Sequence, residues 1–192
     1  MTSLYDGYHF CEYAEGMFNP FSVLNVFDGY KFENYWFQTG TPTFLVKMLM
    51  DSNYDLRTLI DGVEANAASF NEYRAESRNP IPLIYQSGYL TIKEYDPRFK
   101  TYQLAFPNDE VRYGFMNFLL PFYSNIPDNE QDFYIGKFVH ELESGNINAF
   151  LTRLQAFFAD IPYELNDQTE RHYQTVFYLI FKLMGQFTQA EV

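Results

Sequence analysis

The sequence predicts a mainly α-helical α+β protein: a helical bundle with a small β-hairpin near residues 89–106. Three observations predict it. Apolar residues recur at helical spacing behind asparagine or threonine followed by proline, a pairing that opens helices. Two β-prone runs, Tyr89 to Glu94 and Thr101 to Phe106, flank the polar turn Asp96-Pro97-Arg98. Beyond Pro121 the apolar pattern is helical throughout.

Taken in order, Tyr8-His9-Phe10 and Met17-Phe18 flank a glycine-containing loop and suggest a small hairpin. Asn19-Pro20 supplies an N-cap and a first-turn proline for a helix carrying Phe21, Val23, Leu24, Val26 and Phe27, which Asp28-Gly29 should end. Thr41-Pro42 repeats the device for Phe44, Leu45, Met48 and Leu49. A short strand is expected near Val63 and a short helix around Ala67 to Tyr73. Ile81 to Gln86 is apolar, and Gly88 suits a left-handed end to it. After the hairpin, Pro107 stops the second strand. Asn108 then caps a helix whose first turn holds Asp109 and Glu110, where the helix dipole favours anions. Helix, hairpin, helix in that order resembles a winged-helix element.

Phe133 to Leu142 reads as one helix, and Gly145-Asn146 breaks the chain and caps the next, whose apolar face holds Ile147, Phe150, Leu151, Leu154, Phe157 and Phe158. Pro162 ends that helix. The last runs from about Thr169 to Met184, is apolar around most of its circumference, and should be buried between neighbours. The polar stretch from Pro121 to Gln131 marks a boundary between residues 1–125 and 126–192.

Composition narrows the function classes. With 47% apolar and 20% aromatic residues in 192, the chain can bury a sizeable core. Its 25 acids against 13 bases give a formal charge of -12, which repels a phosphate backbone unless the bases cluster. They do not cluster on the hairpin. Lys93, Arg98, Lys100 and Arg112 are offset by Glu94, Asp96, Asp109 and Glu110, so nucleic acid is a disfavoured partner. A single cysteine, Cys11, excludes an intrachain disulfide and fits a reducing cytoplasm. Neither a leader pattern at Met1–Asp6 nor a run of about 18 apolar residues suggests a membrane segment.

Candidate chemistry is sparse. None of the ten glycines opens a phosphate-binding loop; Gly136-Lys137 lies in a helical pattern without the upstream glycine. His9, His140 and His172 lie far apart, and His140-Glu141 lacks the second histidine of a zinc helix. Asp109-Glu110 and Glu141 with Glu143 read as helix-end charges on a solvated face. Tyr30, Phe32, Tyr35, Trp36 and Phe37 could stack on a sugar or base, although such clusters are more often core. No catalytic, cofactor or metal residue is therefore assigned from the residues alone, and no cofactor is expected.

Several segments do occur in a recognisable order: Tyr5-Asp6-Gly7-Tyr8-His9-Phe10, Asn19 to Leu24, Tyr35-Trp36-Phe37-Gln38-Thr39-Gly40-Thr41-Pro42-Thr43-Phe44-Leu45, Gln86 to Lys93 with Thr101 to Val111, and Glu170-Arg171-His172-Tyr173 through Gly185. Together they resemble the bacterial AAA-ATPase-like proteins, common in Bacteroides-type bacteria, that carry a C-terminal PD-(D/E)XK nuclease-like domain. The resemblance implies that residues 1–125 correspond to a lid region with a winged-helix-like element, and residues 126–192 to the helical lead-in of the nuclease-like domain. It places Glu170 at the acid of that lead-in helix, a weak catalytic candidate that is also a favourable first-turn charge. The family's ATP-binding motifs belong upstream of Tyr5. Its nuclease core needs an acid-x-Lys strand, yet the residues two before Lys31, Lys47, Lys93, Lys100, Lys137 and Lys182 are Gly, Leu, Thr, Arg, Ile and Ile. The expectation is a catalytically incomplete piece of such a protein, not an enzyme by itself, whose partner is another protein or the parent's own domains. Two alternatives remain open: a standalone hydrolase with an acidic-aromatic cleft, and a winged-helix nucleic-acid binder.

Overall fold

In the computed structural model, which describes residues 1–13, 15–39, 43–52, 54–67, 70, 79–124, 126–127, 130–162 and 170–188, helices predominate over one small antiparallel sheet. The chain divides into two compact units, Met1–Gly114 and Phe115–Val192.

The first unit holds α1 (Thr2–Tyr5), α2 (Pro20–Gly29), a 3-10 turn (Trp36–Thr39), α3 (Thr43–Asp51), α4 (Leu56–Asp61), β1 (Val63–Asn66), α5 (Ile81–Gln86), β2 (Thr91–Asp96), β3 (Thr101–Ala105) and the start of α6 (Asp109–Tyr123). The Asn19 side chain accepts from the N–H groups of Phe21 and Ser22 at 3.0 and 3.4 Å, capping α2 as its sequence position requires. Asn108 does the same for α6 through the Val111 N–H at 3.1 Å. At the other end of α2 the left-handed residue is Tyr30, φ 52°, and not Gly29. The Thr41-Pro42 cap lies outside the described residues, as does most of the helix expected around Ala67 to Tyr73.

The hairpin is present, and β1 adds a third strand to it in the order β1-β3-β2. Val63 pairs with Leu104, and Thr91 with Ala105. The β2–β3 register shifts between Ile92 and Glu94, leaving Lys93 at a bulge, the device that re-aims a side chain. Lys93 uses it to donate to the carbonyls of Pro107 at 2.7 Å and Gly7 at 3.2 Å. Leu45, Leu49, Leu56, Leu59, Ile84 and Leu104 are buried in the core of this unit. The hairpin expected between Tyr8 and Phe18 reduces to one antiparallel bridge, Tyr8 to Met17.

The second unit holds the remainder of α6, then α7 (Gln131–Glu143), α8 (Ile147–Ala159) and α9 (Glu170–Thr188). Helix α6 continues through Pro121 and ends two residues later, with the Ser124 hydroxyl donating to the Leu120 carbonyl at 2.7 Å. Asn146 caps α8 through the Ala149 N–H. Phe138 of α7 sits edge-on to Phe150 and Phe157 of α8, and α9 packs on α7. The expectation that α9 is enclosed on most sides is corrected. Val176, Leu179, Ile180 and Leu183 are buried, but Tyr173, Phe177, Phe181 and Phe187 remain about 40% exposed, because α9 has fewer covering neighbours than its apolar residues could fill. No helix among the described residues is long and apolar enough to cross a membrane.

Candidate functional site

The first unit contains a pocket of about 600 Å³ between the N-terminal segment, the 3-10 turn, the end of α5 and the start of β2. Its walls come from residues distant in sequence, and specific polar bonds assemble them. The Tyr8–Met17 bridge closes with N–H···O distances of 3.2 and 2.9 Å. Below it, the Asn19 N–H reaches the Tyr5 carbonyl at 2.8 Å. The buried Thr91 hydroxyl accepts from the His9 N–H at 2.7 Å and donates to the His9 carbonyl at 2.8 Å, so one side chain does the work of a strand partner. Gly88, at φ +78°, lets the chain leave α5 directly beneath the Trp36 ring, which a β-carbon there would meet at 3.4 Å.

Trp36 is positioned from behind by Glu110. The sequence places this acid on a solvated first turn; instead it is wholly buried. One carboxylate oxygen accepts the N–H groups of Tyr35 and Trp36 at 2.7 and 3.0 Å, and the Ser22 hydroxyl lies 2.8 Å from the other. Burial raises the Glu110 pKa, and the hydrogen bonds from Trp36, Ser22 and Tyr35 oppose that rise. The expected aromatic cluster therefore splits. Tyr35 is buried and Trp36 and Phe37 are half-buried, while Tyr30 and Phe32 stand in solvent. Trp36 contacts Tyr8 at 5.9 Å between rings and Tyr89 edge-on at 6.3 Å.

The lining is aromatic and aliphatic, with Phe10, Met17, Phe18 and Tyr85 beside Tyr8 and Trp36, and no Lys, Arg, Asp or Glu among the described residues that form it. Three polar atoms on lining residues are buried without a hydrogen-bond partner among the described residues: the Tyr8 hydroxyl, Nδ2 of Asn19 and Nδ1 of His9. Burial pushes the Tyr8 hydroxyl far above its ordinary pKa, helped by the negative charge of Glu110 and by Tyr89.

The other residues singled out by sequence do not come together. Glu170 is exposed and accepts from Gln174, one turn on, at 2.8 Å. His140 is exposed in the last turn of α7, and the His172 ring lies 5.9 Å from that of Tyr123. Lys137 places its ammonium 3.7 Å above the Phe133 ring. Cys11 is exposed. Glu141 pairs with Arg153 at 2.6 Å and so joins α7 to α8. No group of three His, Cys, Asp or Glu capable of holding a metal occurs among the described residues. Neither the pocket nor the burial of Glu110 was foreseen from sequence; the aromatic weight of Tyr5 to Phe37 was the available signal.

Comparison with known proteins finds a longer relative. It is described as an uncharacterized protein in the vnfD 5′ region of Azotobacter chroococcum mcd 1, and is 31% identical over 197 residues. The alignment covers 97% of this chain but 37% of that protein, so the chain spans well under half of its relative's length. No protein-family model matches the chain, and no solved structure matches it either.

Proposed function

We propose that this chain acts as a non-catalytic binding module of a larger bacterial protein of the AAA-ATPase-like, nuclease-like type, with residues 1–125 serving as a lid-like region that carries a winged-helix-like element. The observation that carries the binding role is the pocket: a largely apolar, aromatic-lined recess with one histidine, His9, and without a carboxylate, a Lys, an Arg or a metal cluster among its described residues. Such a recess can hold an apolar side chain of a protein partner, and it lacks the paired carboxylates that glycoside hydrolysis requires. The exposed aromatic ridge of α9 supports the same role, since a contiguous apolar surface marks an interaction site. The longer relative supports a setting within a larger protein, and an exposed free thiol at Cys11 suits a reducing cytoplasm.

Trp36 is the single tryptophan of the chain and lines the pocket, so its emission reports occupancy directly. Titrating the purified chain with the uncharged dye Nile red should shift Trp36 emission saturably, while ATP with magnesium should show no turnover. ATP hydrolysis that co-elutes with the chain through gel filtration and ion exchange would overturn the non-catalytic reading. An emission unchanged by Nile red would remove the pocket from it.

A further inference from the structure

One wall of the pocket is a single stretch of chain. His9, Phe10, Met17 and Phe18 come from it, while the 3-10 turn, α5 and the start of β2 supply much of the remainder. The residues at its two ends are fixed: Tyr8 is 7% exposed and Asn19 4%. Between them, every described residue from Phe10 to Phe18 is exposed, so little buried apolar surface holds this wall in place. Among the described residues, its hydrogen bonds to the rest of the unit run through two side chains. The buried Thr91 hydroxyl engages both backbone groups of His9, at 2.7 and 2.8 Å, and the Tyr102 hydroxyl donates to Glu12 at 2.8 Å. The backbone-to-backbone bonds that the stretch makes join Met17 to Tyr8, and none ties it to a strand or a helix among the described residues. A segment with few buried contacts and exposed hydrogen bonds opens at a lower free energy than the core beside it.

We propose that the described residues from His9 to Phe18 form a flap over the pocket, clasped shut by Thr91 and Tyr102, which swings from the fixed posts Tyr8 and Asn19 to admit the ligand. This rests on the binding-module reading above and adds the route of entry. Opening releases both clasps and breaks the Met17–Tyr8 bridge, while α3, α4 and the sheet keep their bonds. The two clasps differ in strength: Thr91 is buried and makes two bonds, whereas the bond from Tyr102 to Glu12 is single and exposed. Tyr102 lies outside the pocket lining, so loss of its hydroxyl acts on the pocket through the flap.

The test combines stopped-flow mixing with Nile red, read by Trp36 emission, and amide hydrogen exchange on the full chain. In the wild type the binding rate should level off as dye concentration rises, at the rate of flap opening. Tyr102→Phe should raise that ceiling about threefold to tenfold, the value of one net hydrogen bond. Thr91→Val removes two bonds and should raise it about tenfold or more, while Thr91→Ser, which keeps the hydroxyl, should leave it near wild type. The Met17 N–H is bonded to Tyr8 and to neither clasp, so a loss confined to the clasp would not move it. It should exchange faster in Tyr102→Phe and Thr91→Val, while the amides of α3 and α4 keep their rates. A binding rate that climbs linearly with dye, at one slope in wild type and variants alike, would overturn the flap. So would Met17 exchange unmoved by Tyr102→Phe. Trp36 emission unchanged by Nile red would instead count against the binding reading, and Met17 exchange would then decide the flap by itself.

Discussion

Replacing Glu110 by alanine and by glutamine should separate two roles of one buried carboxylate. In the folded chain it accepts two backbone N–H groups, from Tyr35 and Trp36, and faces the Ser22 hydroxyl. Alanine leaves the buried Tyr35 N–H and the part-buried Trp36 N–H without their acceptor, at up to roughly 1–3 kcal/mol each, so Glu110→Ala should lower the stability of the first unit by about 2–6 kcal/mol. Glutamine keeps an oxygen for both N–H groups and turns its amide donor toward Ser22, so Glu110→Gln should cost less than about 2 kcal/mol at neutral pH. The pH dependence adds a second criterion. Burial raises the folded-state pKa of Glu110 above its ordinary 4.5. Its contribution is therefore fully present below that ordinary value and is lost as pH rises through the folded-state pKa, where a buried carboxylate must ionise. Urea unfolding read by the emission of Trp36, whose backbone N–H is bonded to Glu110, should show wild type losing stability relative to Glu110→Gln as the pH rises above the ordinary value of 4.5. Equal midpoints for the alanine and glutamine variants, or parallel pH profiles for wild type and glutamine, would refute this account.

Three further outcomes follow from local geometry. Gly7 has φ +106° and a β-carbon there would lie 2.2 Å from the Pro107 carbonyl oxygen, so Gly7→Ala should cost more than about 2 kcal/mol, against about 1 kcal/mol for Gly145→Ala, where φ is +71° and nothing lies within 4 Å; differential scanning calorimetry ranks the two. Gly136 is helical with open space around it, so Gly136→Ala should raise stability by about 0.5–1 kcal/mol, visible as a higher midpoint in circular dichroism at 222 nm. The Glu141–Arg153 pair joins α7 to α8 with side chains 12% and 33% exposed, and a double-mutant cycle followed by amide exchange in those helices should give a coupling of about 1 kcal/mol; a coupling near zero would make the pair incidental.

What was legible in the sequence was what is local. Asn19, Asn108 and Asn146 announce their helices because each cap closes over two or three residues. The β2–β3 hairpin was legible because Asp96-Pro97 turns it within a few residues; the Asp96 carboxylate accepts the N–H groups of Arg98 and Phe99. The partner of β1 was not, since Val63 pairs with Leu104 across the intervening α5 and β2. Glu110 misled because its surroundings come from Ser22 and Tyr35, 88 and 75 residues away, and nothing local distinguishes a first-turn acid in solvent from one under a loop. For α9, periodicity counted apolar residues correctly, but it cannot count the helices available to cover them. The pocket combines both cases: the Asn19 cap was readable, while the arrival of Trp36, Tyr85 and Thr91 around it was not.

The buried hydroxyls of the first unit show which polar group the fold itself does not account for. Tyr5 is fully buried, and its hydroxyl donates to the Glu33 carbonyl at 2.9 Å and accepts the Glu33 N–H at 3.1 Å. Tyr35 is buried and donates to the Lys31 carbonyl at 2.9 Å. Thr91 is buried and engaged twice by the His9 backbone. Each of these polar groups secures a segment of chain, so each repays its burial locally. Asn19 also has a structural purpose, because capping α2 fixes one end of its amide and leaves the other as a by-product. Tyr8 has none: phenylalanine would fill the same space against Trp36 and Phe10 without burying an oxygen that meets no described partner. A hydroxyl buried in this way, in a unit where other buried hydroxyls are bonded, costs stability that the fold does not recover.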